Sequence, residues 1–302
     1  MSKRQRLFLL LVCALVAGVA LMLLSRTHEP SYNGRSLSDW LVGLTNYHGD
    51  DDTDQAAEAI RQIGTNAIPY LVQYSHYTPW PLRVKAAEGI AALGKRVGRG
   101  WRLRGSRSEA RAQGAFDALA ILGPAAVVTI PDLTQLAADT GDLGRASQAI
   151  ATLGYMGAQA LSPLMAILTN QQARLRPQAA MSLSQLGTKA RPAVTILIEY
   201  LRDPKEDLAA LSAMSLGKMR QEPSRVVPAL ITALQDPRPR VRHYAAEALG
   251  QFGDQAASAV PALVKLLNDP DEGPRQGATN ALRSIAPELF TNAPASKRKV
   301  TN

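Results

Sequence analysis

Apolar residues recur every 33 positions along the second half of the chain. Two series of positions are apolar in every copy and a third series is small in every copy, which chance does not produce. The series are Ile150, Leu183, Leu216, Leu249 and Leu282; Leu153, Leu186, Met219, Phe252 and Ile285; and Ala146, Ala179, Ser212, Ala245 and Ala278. A fixed period of this length predicts a solenoid, in which each unit packs on its neighbours.

Each unit shows the pattern of two helices. The first is clearest at 241–250, where alanine and leucine recur at helical spacing. The second begins with a proline, because the amide that proline lacks has no partner in a first helical turn. The predicted starts are Pro131, Pro163, Thr195, Pro228 and Pro261, and the last of these helices has predicted core positions at Val260, Leu263, Val264 and Leu267.

The spacing is interrupted once. The preceding start is Pro69, which lies 62 residues before Pro131, so one start is missing near residue 100. This region is basic and rich in glycine, and we predict an insert at 95–108 that replaces the second helix of one unit. The helix before it, about Leu82 to Val97, keeps the alanine pattern.

The repeated residues resemble a known family. Val227-Pro228-Ala229-Leu230, then Asp236-Pro237, Val241-Arg242, Ala245-Ala246 and Ala248-Leu249-Gly250 are similar to the HEAT repeat in its short bacterial, PBS-lyase-like form. The landmarks of ankyrin and tetratricopeptide units are absent from the sequence. The resemblance covers about 53–286 and implies an all-α fold, a right-handed α-solenoid of about seven or eight stacked antiparallel helix pairs over 53–290.

A separate helix is predicted before the repeats. Ser36 and Asp39 suit a capping box, and Leu37, Trp40 and Leu41 form one apolar stripe. We therefore predict a capping helix and turn at 36–52, after a linker at 25–35.

The N-terminal segment has the properties of a membrane anchor. An uncharged run at 7–24 follows a basic tail at 1–6, and 18 helical residues span about 27 Å, close to the thickness of a bilayer core. The run is longer than the apolar part of most signal peptides, so we favour an uncleaved transmembrane helix over a cleaved signal. Three basic residues before the run and one just after it predict a cytoplasmic N-terminus and a periplasmic repeat region.

The net charge of +9 is unevenly distributed. Basic residues concentrate in the N-terminal tail, in the insert and in a C-terminal tail at 291–302 that we expect to be disordered. A protein that reads nucleic acid usually carries basic charge along a whole face, so this distribution disfavours nucleic acid as the partner.

The sequence contains no arrangement typical of catalysis or of metal binding. The single cysteine lies in the apolar N-terminal run, and none of the four histidines is spaced from another as metal ligands are. We predict no catalytic, metal or cofactor site and expect that the protein is not an enzyme. Some proteins of this fold are bilin lyases, so a HEAT-type enzyme remains an alternative.

Two repeated charged pairs are interpreted as structural. Asp236 with Arg242, and Asp269 with Arg275, occupy equivalent positions in neighbouring units. The family resemblance implies that such residues link successive turns of the solenoid in a charge ladder.

Comparison between units separates packing positions from candidate binding positions. On the second helices some slots are always leucine, whereas two slots differ in chemistry from unit to unit. These variable positions are Glu199, Thr232 and Lys265, and Arg202, Gln235 and Asn268. In a HEAT stack such positions line the inner, concave face, so we predict that they contact a protein partner.

The insert is the second candidate contact. Its residues Arg99, Trp101, Arg102, Arg104 and Arg107 place basic side chains around an aromatic ring, which suits an acidic protein surface or anionic lipid. The sequence therefore predicts a monomeric, membrane-anchored scaffold that binds a protein. Binding of nucleic acid or anionic lipid by the solenoid remains a second alternative.

Overall fold

The computed structural model describes residues 29–45, 50–78, 85–86, 89–90 and 106–291. The predicted transmembrane run, most of the insert and nearly all of the C-terminal tail lie outside these residues, as do twelve of the sixteen residues of the predicted helix at 82–97. The helices are α1 Leu37–Thr45, α2 Asp50–Ile63, α3 Ile68–Ser75, α4 Arg107–Leu122, α5 Ile130–Ala137, α6 Leu143–Leu153, α7 Leu161–Thr169, α8 Arg176–Gln185, α9 Val194–Tyr200, α10 Glu206–Met219, α11 Pro223–Ala233, α12 Pro239–Phe252, α13 Val260–Leu266, α14 Glu272–Ile285 and α15 Glu288–Thr291.

The helices form an α-solenoid, as the sequence predicts. Each first helix packs on the first helix of the next unit, and each second helix packs against the first helix of the next unit as well. All fifteen positions of the three repeated series are buried. The apolar stripes of each helix pair are therefore covered only when the units stack, which makes the array one continuous core.

One predicted core position faces outward. In α13, Leu263 and Leu266 are buried, whereas Val264 is 42% exposed. The buried face of α13 therefore includes residue 266 rather than residue 264. A helix of this length is too short to bury side chains on both of its sides.

Glycines with a positive φ angle end most of the first helices. The 3₁₀ turns between first and second helices begin at Gly64, Gly123, Gly157, Gly187 and Gly253, all with φ between 53° and 78°. In the unit of α10 and α11, Arg220 and Glu222 take this conformation instead, with φ of 50° and 48°. No 3₁₀ turn forms there, and α11 begins at Pro223, so that Pro228 lies inside the helix rather than at the predicted start.

Two units contact each other across the interruption in the period. The 3₁₀ turn of the α2–α3 unit contacts the 3₁₀ turn of the α4–α5 unit, and α3 packs directly on α4. Most of the predicted helix at 82–97 lies outside the described residues, so its place in the stack stays a prediction. Within the described residues the solenoid contains six helix pairs, from α2–α3 to α12–α13, followed by α14 and the short α15.

A short hairpin occupies part of the predicted linker. Strands β1 Ser31–Tyr32 and β2 Arg35–Ser36 pair across Asn33 and Gly34, both with positive φ. An Asn-Gly pair is the strongest short signal for such a turn, and the prediction of a plain linker overlooked it. The Nε1 of Trp40 donates to the carbonyl of Tyr32 at 3.1 Å, which fastens the hairpin to α1.

The capping helix α1 lies where predicted, but it packs mainly on α4. Ser36 accepts a hydrogen bond from the amide of Asp39 at 3.3 Å, as a helix cap does. At the start of α4, Ser106 and Glu109 form a reciprocal capping box that the sequence analysis missed.

Among the described residues, one helical stretch, Arg107–Ala137, is long and apolar enough to span a membrane by length and composition alone. It comprises α4, the 3₁₀ turn Gly123–Thr129 and α5, and half of its apolar window is buried inside the protein.

Candidate partner-binding site

A groove lies between the second helices α9 and α11. It has a volume of about 390 Å³, and its lining includes Glu199, Arg202, Thr232 and Gln235. These are four of the six variable positions that the sequence analysis selected. All four side chains are exposed.

The floor of this groove is apolar. Ile198 and Ala229 contribute to it between the polar side chains, and Leu197 and Leu230 are buried directly beneath the surface. The hydroxyl of Thr232 donates to the carbonyl of Pro228 at 3.1 Å, which orients its methyl group and leaves the hydroxyl able to accept a hydrogen bond. The groove thus offers an apolar floor, with the carboxylates of Glu199 and Asp236, one guanidinium and one amide also in its lining.

The remaining variable positions continue the same row. Lys265 and Asn268 are exposed on α13, one unit beyond Thr232 and Gln235. They do not line the groove between α9 and α11. The six predicted positions therefore form one exposed row over three second helices, and the structure gathers four of them into a single depression.

A second groove lies on the same row of helices and was missed from the sequence. It has a volume of about 460 Å³ and is bounded by α5, α7 and the loops that follow them. Ala166, which holds the slot equivalent to Glu199, lies in its lining together with Ile167 and Leu143, which is 37% exposed. In the sequence, Leu143 was the residue that could have indicated this groove. A comparison of equivalent positions between units treats it as a loop residue and so passes over it.

The charge ladder lies at the start of the first helices. The guanidinium of Arg242 donates two hydrogen bonds to the carboxylate of Asp269, each 2.8 Å long, and a third to Asp271 at 2.9 Å. The same guanidinium donates to the backbone carbonyls of Asp236 and Pro237 at 2.9 and 3.0 Å. Arg242 therefore joins the loop before its helix to the loop of the next unit.

Both members of this ion pair are almost completely buried. The side chain of Arg242 is 10% exposed and that of Asp269 is 7% exposed. Hydrogen bonds from Arg242 hold the pKa of Asp269 below its usual value, and Asp269 in turn raises the pKa of Arg242.

The side-chain partners differ from the pairs read from the sequence. Arg242 reaches only the backbone carbonyl of Asp236, and Arg275 reaches only the carbonyls of Asp269 and Pro270, at 2.6 and 2.8 Å. The carboxylates that Arg242 binds belong to the next unit, and no carboxylate of the described residues forms an ion pair with Arg275. A separation of six residues along one loop places the guanidinium of Arg242 beside the backbone carbonyl of Asp236. The stacking of units places the same guanidinium beside the carboxylate of Asp269, 27 residues away.

Asp236 has a different partner because the preceding unit has no arginine at the position that would bind it. Ala209 occupies the position equivalent to Arg242. Arg238 fills this gap: it donates to both carboxylate oxygens of Asp236 at 2.8 Å and to the backbone carbonyl of Asp203 at 2.7 Å. Hydrogen bonds from Arg238 lower the pKa of Asp236.

Most of the predicted insert contact lies outside the described residues, including Arg99, Trp101, Arg102 and Arg104. Arg107 is described and is the first residue of α4, so the helix begins inside the predicted range 95–108. Its guanidinium forms an ion pair with Asp39, which ties α4 to the capping helix. Within the described part of the chain there is no group of three or more His, Cys, Asp or Glu side chains arranged to hold a metal ion.

Comparison with known proteins gives one family. The family model described as HEAT repeats matches residues 130–210 and 194–283. No curated protein sequence is significantly similar to the chain.

Solved structures that are similar to the chain include repeat proteins of several kinds. A designed armadillo repeat protein in complex with the peptide (KR)4 is 17% identical, with a TM-score of 0.41, and the match covers 83% of this chain and 100% of that one. The complex of CpcE and CpcF of phycocyanin lyase from Nostoc sp. PCC7120 is 17% identical, with a TM-score of 0.41, and the match covers 86% of this chain and 99% of that one.

Proposed function

This chain belongs to the HEAT-repeat family, and we propose that it is a membrane-anchored scaffold that binds a protein partner along the row of its second helices. One observation carries the proposal. The slots that vary between units are exposed and converge on a groove, whereas the constant leucines beneath them are buried. Packing explains why the constant positions are leucine. It places no such demand on the variable positions, so their side chains can match the chemistry of a partner.

The chemistry of the groove favours a protein surface over a small molecule. The groove is open to solvent along the row, with an apolar floor, negative charges at Glu199 and Asp236 and a positive charge at Arg202. A pocket for a small molecule usually encloses most of its ligand, whereas an extended row of mixed polar and apolar positions suits side chains of a partner. The groove beside Ala166 extends the same surface by another unit pair.

The insert at 95–108 is proposed as a second contact. Outside the described residues, the insert has four arginines on either side of Trp101 in the sequence, Arg96, Arg99, Arg102 and Arg104. Such a segment would attract an acidic surface next to the anchored end. We propose no catalytic activity for this protein.

Site-specific photo-crosslinking tests the binding surface. A photoreactive residue at Thr232 is expected to give a discrete adduct with a protein partner in cells, because Thr232 lies in the groove. The same residue at Gln251, which is exposed on the first-helix side, serves as the matched control. Adding Arg202→Glu should reduce the adduct at least about fivefold, since reversing a charge at a contact costs about 1 kcal/mol or more.

Equal adducts from Thr232 and Gln251, or an adduct from Thr232 that Arg202→Glu leaves unchanged, would contradict the proposed surface. The same experiment with Arg102 and Arg104 both changed to glutamate tests the insert. We expect a weaker adduct if the insert is a second contact, and an unchanged adduct would remove it from the proposal.

The topology is tested separately. An alkaline phosphatase fused after Asn302 is expected to be active, because this enzyme folds only outside the cytoplasm and the proposed anchor leaves the C-terminus there. Replacing Lys3, Arg4 and Arg6 by glutamate should lower the activity, since the charge asymmetry across the anchor is then lost. An inactive fusion that is nevertheless expressed as full-length membrane protein would overturn the proposed orientation.

A further inference from the structure

The charge ladder contains one position whose arginine lacks the expected partners. Each arginine slot at the start of a first helix corresponds to a second slot, 29 residues later, in the loop that follows the same unit. The slot pairs are Arg176 with Lys205, Ala209 with Arg238, and Arg242 with Asp271.

Two of the three pairs are satisfied within the protein. Arg242 binds the carboxylates of Asp269 and Asp271 and two backbone carbonyls, as described above. In the second pair the arginine slot holds Ala209, and Arg238 supplies the guanidinium from the loop slot. In both cases one guanidinium meets at least one carboxylate in a bidentate pair.

The first pair places two cations around a single carboxylate. Asp203 is the equivalent of Asp269, but it lies 3.7 Å from Arg176, and its Oδ1 already accepts the backbone amide of Lys205 at 2.8 Å. Where Asp271 adds a second carboxylate to the last pair, Lys205 adds a positive charge. An oxyanion is therefore missing at this position of the ladder.

The guanidinium of Arg176 is short of hydrogen bonds. Its side chain is only 8% exposed, yet its nitrogen atoms keep contact with solvent and form no hydrogen bond to a described residue. The guanidinium also lies over the ring of Tyr200, whose centroid is 5.4 Å from the guanidinium carbon. The donors of Arg176 are therefore open to an acceptor that enters from solvent.

A pocket of about 420 Å³ opens next to this arginine. Its lining carries four cations and two carboxylates, and one of those carboxylates, Asp207, is already paired with Arg240. Arg174 and Lys205 also line the pocket, and their side chains form no ion pair with a described residue. The pocket lies at the N-termini of α8 and α10. The first turn of α8 has neither a side-chain cap nor an acidic residue, so its dipole favours an anion there, whereas Glu206 and Asp207 already lie in the first turn of α10.

The geometry points to a carboxylate-binding site in this pocket, formed by Arg176, Lys205 and Arg174, for an acidic side chain of a protein partner. The incoming carboxylate would take the place that Asp271 takes beside Arg242. This site shares no lining residue with the groove between α9 and α11, although Ala173 and Arg174 also line the groove beside Ala166. The peptide experiment below tests the site without the partner proposed above.

Fluorescence anisotropy with a labelled peptide of alternating aspartate and glycine tests the site on the purified full-length chain. We expect the peptide to bind at low salt, and the matched asparagine–glycine peptide to bind at least about tenfold more weakly, because the guanidinium needs an anionic acceptor. Equal binding of the two peptides would overturn the proposal.

The decisive variant is Lys205→Asp, which introduces into this slot the carboxylate that the last pair already has. We expect it to weaken binding of the aspartate peptide at least about tenfold and to raise the melting temperature, since an internal carboxylate then pairs with Arg176. A raised or unchanged melting temperature also shows that the variant is folded. Unchanged peptide binding by this variant would overturn the site.

Lys189→Asp is the matched control, because Lys189 is an exposed lysine at the other end of the first helices and the change in charge is the same. We expect it to retain affinity within about threefold, as screened charges at that distance contribute little. An equal loss in both variants would show diffuse attraction rather than a site. Inorganic phosphate serves as competitor, and tighter binding of phosphate than of the peptide would overturn the assignment to a protein carboxylate.

Discussion

Replacing Arg242 by methionine is expected to destabilise the C-terminal units by about 3 kcal/mol. The change leaves the carboxylate of Asp269, whose side chain is 7% exposed, without its bidentate partner, and removes the donor from two backbone carbonyls. Methionine keeps much of the length and volume of the side chain, so the loss measures the polar contacts. Urea denaturation, together with hydrogen exchange of the α12 and α14 amides, measures the effect.

Arg240→Met is the matched control for this prediction. Arg240 lies in the same helix and pairs with Asp207, but the two side chains are 50% and 66% exposed. Such a surface pair contributes about 1 kcal/mol or less, so the control should lose little stability. If both variants lost the same amount, burial would not be what makes the Arg242 pair important.

The effect of Arg242→Met should also depend on pH. Arg242 lowers the pKa of Asp269 in the folded protein, so the pair contributes its full stability above the unfolded pKa of about 4. That contribution is lost as the pH falls through the lowered folded pKa. The difference in stability between wild type and variant should therefore shrink in acid, and a difference that grew below pH 4 would contradict the assigned pair.

Replacing Gly217 by alanine is expected to destabilise the stack by about 1–3 kcal/mol, although alanine favours a helix more than glycine does. A Cβ at this position would lie 2.6 Å from the Cα and 2.7 Å from the Cβ of Ala248. Neither atom can rotate away, so α10 and α12 would have to separate. Thermal and urea unfolding of the variant measure the loss.

Gly144→Ala provides the control of opposite sign. Gly144 is exposed in the first turn of α6, and a Cβ there would meet its nearest neighbour, an oxygen of Asp142, at an ordinary 3.4 Å. We expect this variant to gain about 0.5 kcal/mol from helix propensity. A gain of the same size from Gly217→Ala would show that the two helices are not in close contact.

The elements of the solenoid could be predicted because their cause is local. The spacing of apolar residues within a unit decides which face of each helix is buried, and the three repeated series are buried throughout. The exception at Val264 concerns a helix of seven residues, in which two adjacent apolar stripes compete for one buried face. Only the structure showed that the α2–α3 and α4–α5 units touch each other, since a gap in a period does not say which units are in contact.

The candidate site was predictable in composition and not in shape. Comparing units selected Glu199, Arg202, Thr232 and Gln235, which line one groove. The second groove depends on how two inter-unit loops approach each other, and no spacing in the sequence reports that approach. The surroundings of Arg176 were equally hidden, because its partners are defined by the loop of the next unit.

The amino-acid sequence by itself determined that this protein is a stack of helix pairs, because hydrophobic burial follows the helical period within each unit. It also determined which positions vary and which remain apolar. Only the tertiary structure decided which charge meets which carboxylate, where glycines let helices touch, and which units are neighbours. These are contacts between residues about 30 positions apart, and their geometry is set by the stacking of units rather than by the order of residues within one.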